Sequence, residues 1–372
     1  MQQTEDKTGE NSAFKKLILL AFVVLFCFIL LEILVRFFFP VSDAIWMGDG
    51  TIGHKHIINK SGIYVIPEHI SYVKFNGEGF RDVDHNVSDK YKIAMLGDSF
   101  VDALEVNFND TFYQKLQNKL DNLYPGKYEI FNFGLYYFST AQEYLLYNKF
   151  VKKYNPDEIY LFVFVNDPYE TCLEDPKNPT YYIDDEGNVQ ARKFYPNEYN
   201  SIQLFVSKYF KSAVFIRKVL QDAKSRVYQE KIKKLNYGLP AYAKSFLKEY
   251  DNQTIECWNL SRYFLRKLNE ETTKSGTKII AVIIPHPASL YKQDAEKLIK
   301  SSTLNESSFD FDKPSRMFKD IFNQERITYY DLEPDLKMEN KRLYYNIDGH
   351  FNPVGHEVVS EVLFEKLINA SL

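Results

Sequence analysis

The sequence predicts an α/β protein, a three-layer fold in which a parallel sheet lies between helices, with an N-terminal transmembrane helix and a helical insertion. Three observations predict it. From residue 91 onward, short apolar runs alternate with segments whose apolar residues recur at helical spacing, the pattern of parallel strands joined by crossover helices. Residues 17–39 form one apolar stretch long enough to cross a hydrocarbon core of about 30 Å. The alternation lapses between about 168 and 252, where a segment with Gly, Pro and Asn gives way to a basic helical stretch.

Composition narrows the classes. At 45% hydrophobic and 26% charged, 372 residues suffice for one large domain with an insertion or for two domains. A net charge of -4 gives no reason to expect nucleic acid, and the absence of C-x-x-C and H-E-x-x-H leaves no metal site signalled. Whether Cys172 and Cys257 pair or stay as two buried thiols depends on compartment and geometry, which sequence leaves open. The 28 Tyr and 30 Phe read as core packing, with sugar stacking as the alternative.

In chain order, residues 1–16 form a tail and 17–39 the membrane anchor. Glu32 and Arg36 interrupt the anchor four residues apart, so they can face each other along one helix side. Phe37, Phe38, Phe39 and Pro40 follow where a cleaved signal peptide would carry small residues. Lys15 and Lys16 abut the amino side, which places the tail in the cytoplasm and everything after Pro40 outside. Residues 40–90 are a lead-in segment with Gly77 and Gly79 in a tight turn. Arg81 beside it is open to two readings, an anion binder or a structural salt bridge.

The main domain spans 91–372. Residues 93–96 form the first strand, broken by Gly97 and Asp98, so Ser99 stands where strand hands over to helix. A helix is expected over 110–124, a strand over 128–133, a helix over 141–154 and a strand over 158–165. After the insertion come a helix over 255–271, a strand over 278–285, a short strand over 327–330 and a closing helix over 354–368. Within the insertion, residues 201–237 carry Lys208, Lys211, Arg217, Lys218, Lys224, Arg226, Lys231, Lys233 and Lys234 and read as a solvated helix face, with a surface for anionic lipid head groups or an anionic polymer as the alternative. Because it begins directly after Asn166, the insertion is expected to form a lid or rim that sets substrate choice.

Ser99, Gly134, Asn166 and His350 each fall just past a strand or just before a helix, positions that converge on one edge of a parallel sheet. Chemistry then has its parts. Ser99 attacks a carbonyl, His350 takes its proton, and Asp348 holds the imidazole and stabilises its charged form. The backbone N–H groups of Ser99 and Gly134 and the side-chain amide of Asn166 would form the oxyanion hole. Among seven histidines, His286 is the serious competitor for the role of base.

LGDSF, the Gly134 turn, Asn166-Asp167 and the closing DGHFN with Gly355-His356 resemble, in that order, the blocks of the SGNH/GDSL hydrolase superfamily. The resemblance covers roughly residues 76–368. It implies a flavodoxin-like sheet, a nucleophilic Ser99, oxyanion donors at Gly134 and Asn166, a His350–Asp348 pair and no cofactor. Phe164 stands where the third block usually has Gly, and Asp348 precedes His350 by two residues rather than three.

The function expected is that of a membrane-anchored, outward-facing serine esterase that passes through an acyl-Ser99 intermediate on acylated carbohydrate or other small esters. Two alternatives accompany it. An O-acyltransferase modifying a cell-surface polysaccharide would need a membrane acyl-donor partner or an external donor, since one membrane helix cannot carry the donor across. A catalytically silent binding or assembly protein is the other.

Overall fold

Five apolar strands form one parallel sheet: β1 Tyr91–Leu96, β2 Tyr128–Asn132, β3 Glu158–Val163, β4 Lys278–Ile283 and β5 Thr328–Asp331. The computed structural model describes residues 6–85, 88–196, 201–235 and 237–371. Across the sheet the order is β2-β1-β3-β4-β5, every pair parallel. This is the flavodoxin-like order, whose direction of winding reverses between β1 and β3 and so opens a crevice at their carboxyl ends.

Period-two alternation assigns each strand residue to a face. Ile93, Met95, Tyr160, Phe162, Ile280 and Val282 point to one core, while Ala94, Leu96, Ile159, Leu161, Ile279 and Ala281 point to the other. All are buried, as a sheet covered on both sides requires. The chain forms two compact units, Met1–Ala44 with Asn200–Val227, and Ile45–Tyr199 with Tyr228–Leu372. In the first, α1 Asp6–Phe38 contains the apolar stretch Phe14–Phe38, the one helix among the described residues long and apolar enough to cross a membrane.

The second unit holds the sheet. Its helices are α2 Ser99–Asp102, α3 Phe112–Leu123, α4 Thr140–Leu146 and α5 Asp167–Cys172. In the insertion, α6 Ser201–Tyr209 and the part of α7 Lys211–Leu235 up to Val227 belong to the first unit. α8 Asn252–Lys274 and, after two short helices, α9 Lys313–Glu325 and α10 Pro353–Ser371 return to the second. Leu116 and Leu120 of α3 and Val359 and Leu363 of α10 fill the first core. Trp258 and Leu265 of α8 and Phe318 and Phe322 of α9 fill the other.

Several sequence expectations change in detail. Residues 201–237 are not one helical stretch, because it breaks at Phe210, where the N–H groups of Lys211 and Ser212 turn to the carboxylate of Glu32. Glu32 and Arg36 do meet, at 2.7 Å. The helix expected over 141–154 shifts to π geometry over Tyr147–Val151 and ends at Asn155 with φ 47°. The insertion contains a hairpin, Tyr181–Ile183 with Val189–Ala191, whose turn is held by the Asp184 carboxylate accepting from the N–H groups of Glu186 and Asn188. Cys172 and Cys257 are joined as a disulfide between α5 and α8. The lead-in forms two antiparallel hairpins, Trp46–Asp49 with Gly53–His56 and Ser61–Val65 with Ile70–Lys74, in the same unit as the sheet.

Candidate active site

β1 delivers the chain to the carboxyl edge of the sheet, and Asp98 turns it into the single helical turn α2. The Asp98 carboxylate accepts from the Phe100 N–H at 3.0 Å, which fixes the start of that turn. Ser99 occupies its first position, where a backbone N–H has no intrahelical acceptor. At the other end the carbonyls of Asp102, Ala103 and Val106 accept from the Arg81 guanidinium, which is wholly buried. Arg81 therefore matches neither sequence reading. A one-turn helix leaves its carbonyls unpaired, and the guanidinium supplies donors that the chain lacks there.

His350 reaches Ser99 from a loop before α10. Its Nε2 lies 2.8 Å from Ser99 Oγ, and its Nδ1 lies 2.6 Å from Asp348 Oδ1. Gly349, between the two, has φ +87°, and this left-handed turn lets a carboxylate only two residues away face the imidazole. Glu68, at the tip of the second lead-in hairpin, accepts from the N–H groups of Asn346, Ile347 and Asp348 and so holds the loop. Phe100 packs on the imidazole at 5.0 Å and Tyr136 at 6.2 Å.

Burial by itself would lower the pKa of His350, but the hydrogen bond it donates to Asp348 and the charges of Glu105, Asp348 and Asp98 outweigh it and raise it to about 9. Glu105 is held in turn by His356, whose Nε2 lies 3.0 Å from it while its Nδ1 accepts from the Phe112 N–H at 3.2 Å. His356 is thus a buried structural histidine. His286 stacks on Phe164 at 5.7 Å and has another role. It caps a short helix by accepting from the Ala288 N–H at 3.0 Å, and burial pushes its pKa down to about 4.

On the oxyanion side the structure separates two of the residues expected together. Asn166, at the start of α5, directs Nδ2 toward Asp98 Oδ2 at 3.3 Å, and its Oδ1 is buried without a partner. The same amide also acts on the Glu170 carboxyl, where its hydrogen bond opposes the effect of burial. Gly134 is different, and its expected role is corrected. Its N–H donates to Asn132 Oδ1 at 2.8 Å, and a Cβ added to it would lie 2.4 Å from the backbone of Val101 and Asp102. Glycine is needed there because α2 packs directly on the strand end, and its donor is already engaged. Tyr137, further along the same loop, has φ 66°, a conformation uncommon for a bulky residue and typical of constrained sites. Phe164, in the place usually held by glycine, donates its N–H to Asp167 Oδ2 at 2.9 Å and packs on Phe100 at 4.6 Å.

Around Asn166 lie four carboxyl groups, those of Asp98, Glu143 and Asp167 buried and that of Glu170 half-buried. Burial raises the pKa of Asp98, and the Phe100 N–H only partly offsets this. Burial and then the neighbouring acids raise Glu143 and Asp167 well above the ordinary range and Glu170 to about 8. Both oxygens of Glu143 lack partners. Glu170, raised to about 8, stays protonated at neutral pH and so does not oppose negative charge developing beside Asn166. A cavity of about 480 Å³ opens on this side, lined among others by Tyr137, Gln142, Asn166, Tyr169, Glu170 and Tyr242. Its volume suits a small-molecule ligand.

No family model matches the chain, and no curated protein does. Among solved structures it is similar to TesA, at 11% identity over 74% of this chain and 97% of that one, with a TM-score of 0.40. It is also similar to a catalytic mutant of Axe2, an acetylxylan esterase from Geobacillus stearothermophilus (13% identity, 75% and 95% covered, TM-score 0.41). A third is LAE5, an α/β hydrolase enzyme from the metagenome of Lake Arreo, Spain (11%, 74% and 94%, 0.42).

Ser99, His350 and Asp348 are therefore in contact, with Asn166 tied to the same turn through Asp98. Glu68, Asp98, Glu105 and Glu143 were not singled out from sequence. Only Asp98 carried a signal, as a capping residue directly before the serine.

Proposed function

We propose that the protein is a serine esterase of SGNH type, held at a membrane by α1 and acting outside the cytoplasm. The observation that carries this reading is the unbroken line from Ser99 Oγ through both nitrogens of His350 to Asp348. Neutral His350 takes the hydroxyl proton as Ser99 Oγ bonds to the ester carbonyl carbon, and the carbonyl oxygen becomes an oxyanion facing the Ser99 N–H and the Asn166 amide. Imidazolium then protonates the departing alcohol, leaving acyl-Ser99. Water enters, gives its proton to His350, and the acid leaves as Ser99 regains its hydrogen.

The cavity beside Asn166 supports acylated carbohydrate or another small polar ester as substrate, because Tyr137 and Tyr242 offer flat faces and Glu170 offers a hydroxyl partner. Its rim comes partly from the insertion, as a role in substrate choice requires. Lys15 and Lys16 before the apolar helix support a cytoplasmic amino terminus. The Cys172–Cys257 disulfide fits an oxidising compartment.

Labelling with a fluorophosphonate tests the assignment. Wild type should be modified at Ser99 and lose esterase activity, and an unlabelled, inactive but folded protein would sink the reading in favour of a silent binding protein. For topology, protease added to spheroplasts should digest the sheet domain. Protection until the inner membrane is lysed would reverse the orientation.

A further inference from the structure

We propose that α6 and the first half of α7 are embedded in the bilayer leaflet occupied by the outer end of α1, so that the chain enters the membrane a second time without crossing it. This rests on the reading of α1 as a membrane span. The contacts within the first unit carry it. Phe28 of α1 and Phe210, at the break between α6 and α7, have ring centroids 5.8 Å apart, and Phe39 and Phe215 are 5.3 Å apart. At 1.5 Å per residue Phe28 lies about 15 Å from Phe38 along the helix axis. A break beside Phe28 is therefore at hydrocarbon depth.

Backbone groups freed at a helix break in hydrocarbon need partners from protein, since no water supplies them. They have them. The Lys211 and Ser212 N–H groups donate to the two Glu32 oxygens, each at 2.9 Å, and the Tyr209 carbonyl accepts from Arg36 Nη2 at 2.7 Å. Glu32 and Arg36 are themselves paired, and the Lys211 ammonium reaches Asp43. This accounts for the two charges inside an otherwise apolar span. They complete the helix break, a task water would perform in an aqueous setting.

The outward faces point the same way. Ile202, Phe205 and Tyr209 of α6, spaced by three and four, are exposed. So are Ile216, Val219, Leu220 and Val227 of α7, which fall with Ala223 on one helix face. Arg217 and Lys224 flank that face on one side and Arg226 on the other, where long basic side chains run along apolar surface to the headgroup phosphates. The basic stretch, which from sequence reads as a solvated face or as a surface for anionic lipid head groups, borders an apolar face in three dimensions.

The test uses the full chain with Cys27→Ser, reconstituted in phosphatidylethanolamine–phosphatidylglycerol liposomes and spin-labelled at single cysteines. Phe205→Cys and Leu220→Cys probe the embedded faces, Lys218→Cys the opposite face of α7, and Leu25→Cys the span itself. Cys172 and Cys257 are paired and do not react. The ratio of oxygen to nickel-chelate accessibility should be several-fold higher at 205 and 220 than at 218, and close to that at 25. Aqueous values at 205 and 220 with a hydrocarbon value at 25 would overturn the proposal and leave the anchor standing. An aqueous value at 25 would overturn both.

Discussion

Replacing Asp348 with asparagine should move the pH dependence of catalysis as well as its size. In wild type the rise of His350 from 6.5 to about 9 corresponds to about 3 kcal/mol in favour of imidazolium, the sum of Asp348, Glu105 and Asp98 acting against burial. Only neutral imidazole accepts the Ser99 proton. At pH 7 roughly one molecule in a hundred carries it, so kcat/KM should climb about tenfold per pH unit from 6 to 8 and level near 9. The same raised pKa gives the fold stability that is complete below about pH 6.5 and lost as pH rises through about 9. Asp348→Asn removes both the partner of Nδ1 and its charge. The rising limb should shift to lower pH, while the plateau falls by about 10³ to 10⁴ because the tautomer is no longer fixed. The assay is hydrolysis of an aryl acetate from pH 5.5 to 10, corrected for spontaneous hydrolysis, with circular dichroism to confirm folding. A wild-type profile already level at pH 7, or a variant with an unmoved limb, would refute the reasoning.

Three further outcomes are expected. Ser99→Ala and His350→Ala should each remove nearly all turnover and the double variant little more, because the groups act as one unit, whereas His286→Ala should keep it; the reverse pattern in the two histidines would reassign the base. Glu68→Gln should lower kcat by about tenfold or more with KM little changed, and Glu68→Asp, which keeps the carboxylate, should recover part of the loss, since Glu68 acts only by holding the Asp348 loop; unchanged kcat in Glu68→Gln would show that the loop holds itself. Glu170, protonated in the folded state up to about pH 8, contributes stability that is complete below the unfolded value and lost as pH rises through the folded one. Glu170→Gln should therefore raise Tm near pH 8 and not near pH 4, and equal shifts at both would argue against its being buried with a proton.

The sheet was legible because burial on both faces forces near-continuous apolar runs, and 93–96, 158–163 and 278–283 are such runs. Ser99 and His350 were legible because a parallel sheet gathers strand ends. Gly134 misled for a definite reason: a glycine after a strand looks the same whether its N–H or its missing Cβ is what matters, and only the packing of α2 distinguishes them. Glu68 gave no signal, being a polar residue at a hairpin tip 280 positions from Asp348. Nor did the break at Phe210, which has neither Gly nor Pro and is stabilised by Glu32 far away in sequence.

The bond between Cys172 and Cys257 closes a ring of chain 85 residues around, and the whole basic segment lies on that ring. A protease that cuts once anywhere between them cannot release a fragment. A nicked molecule would migrate as intact protein without reductant and as two pieces with it, so its α1 would stay covalently joined to His350 until the disulfide is opened.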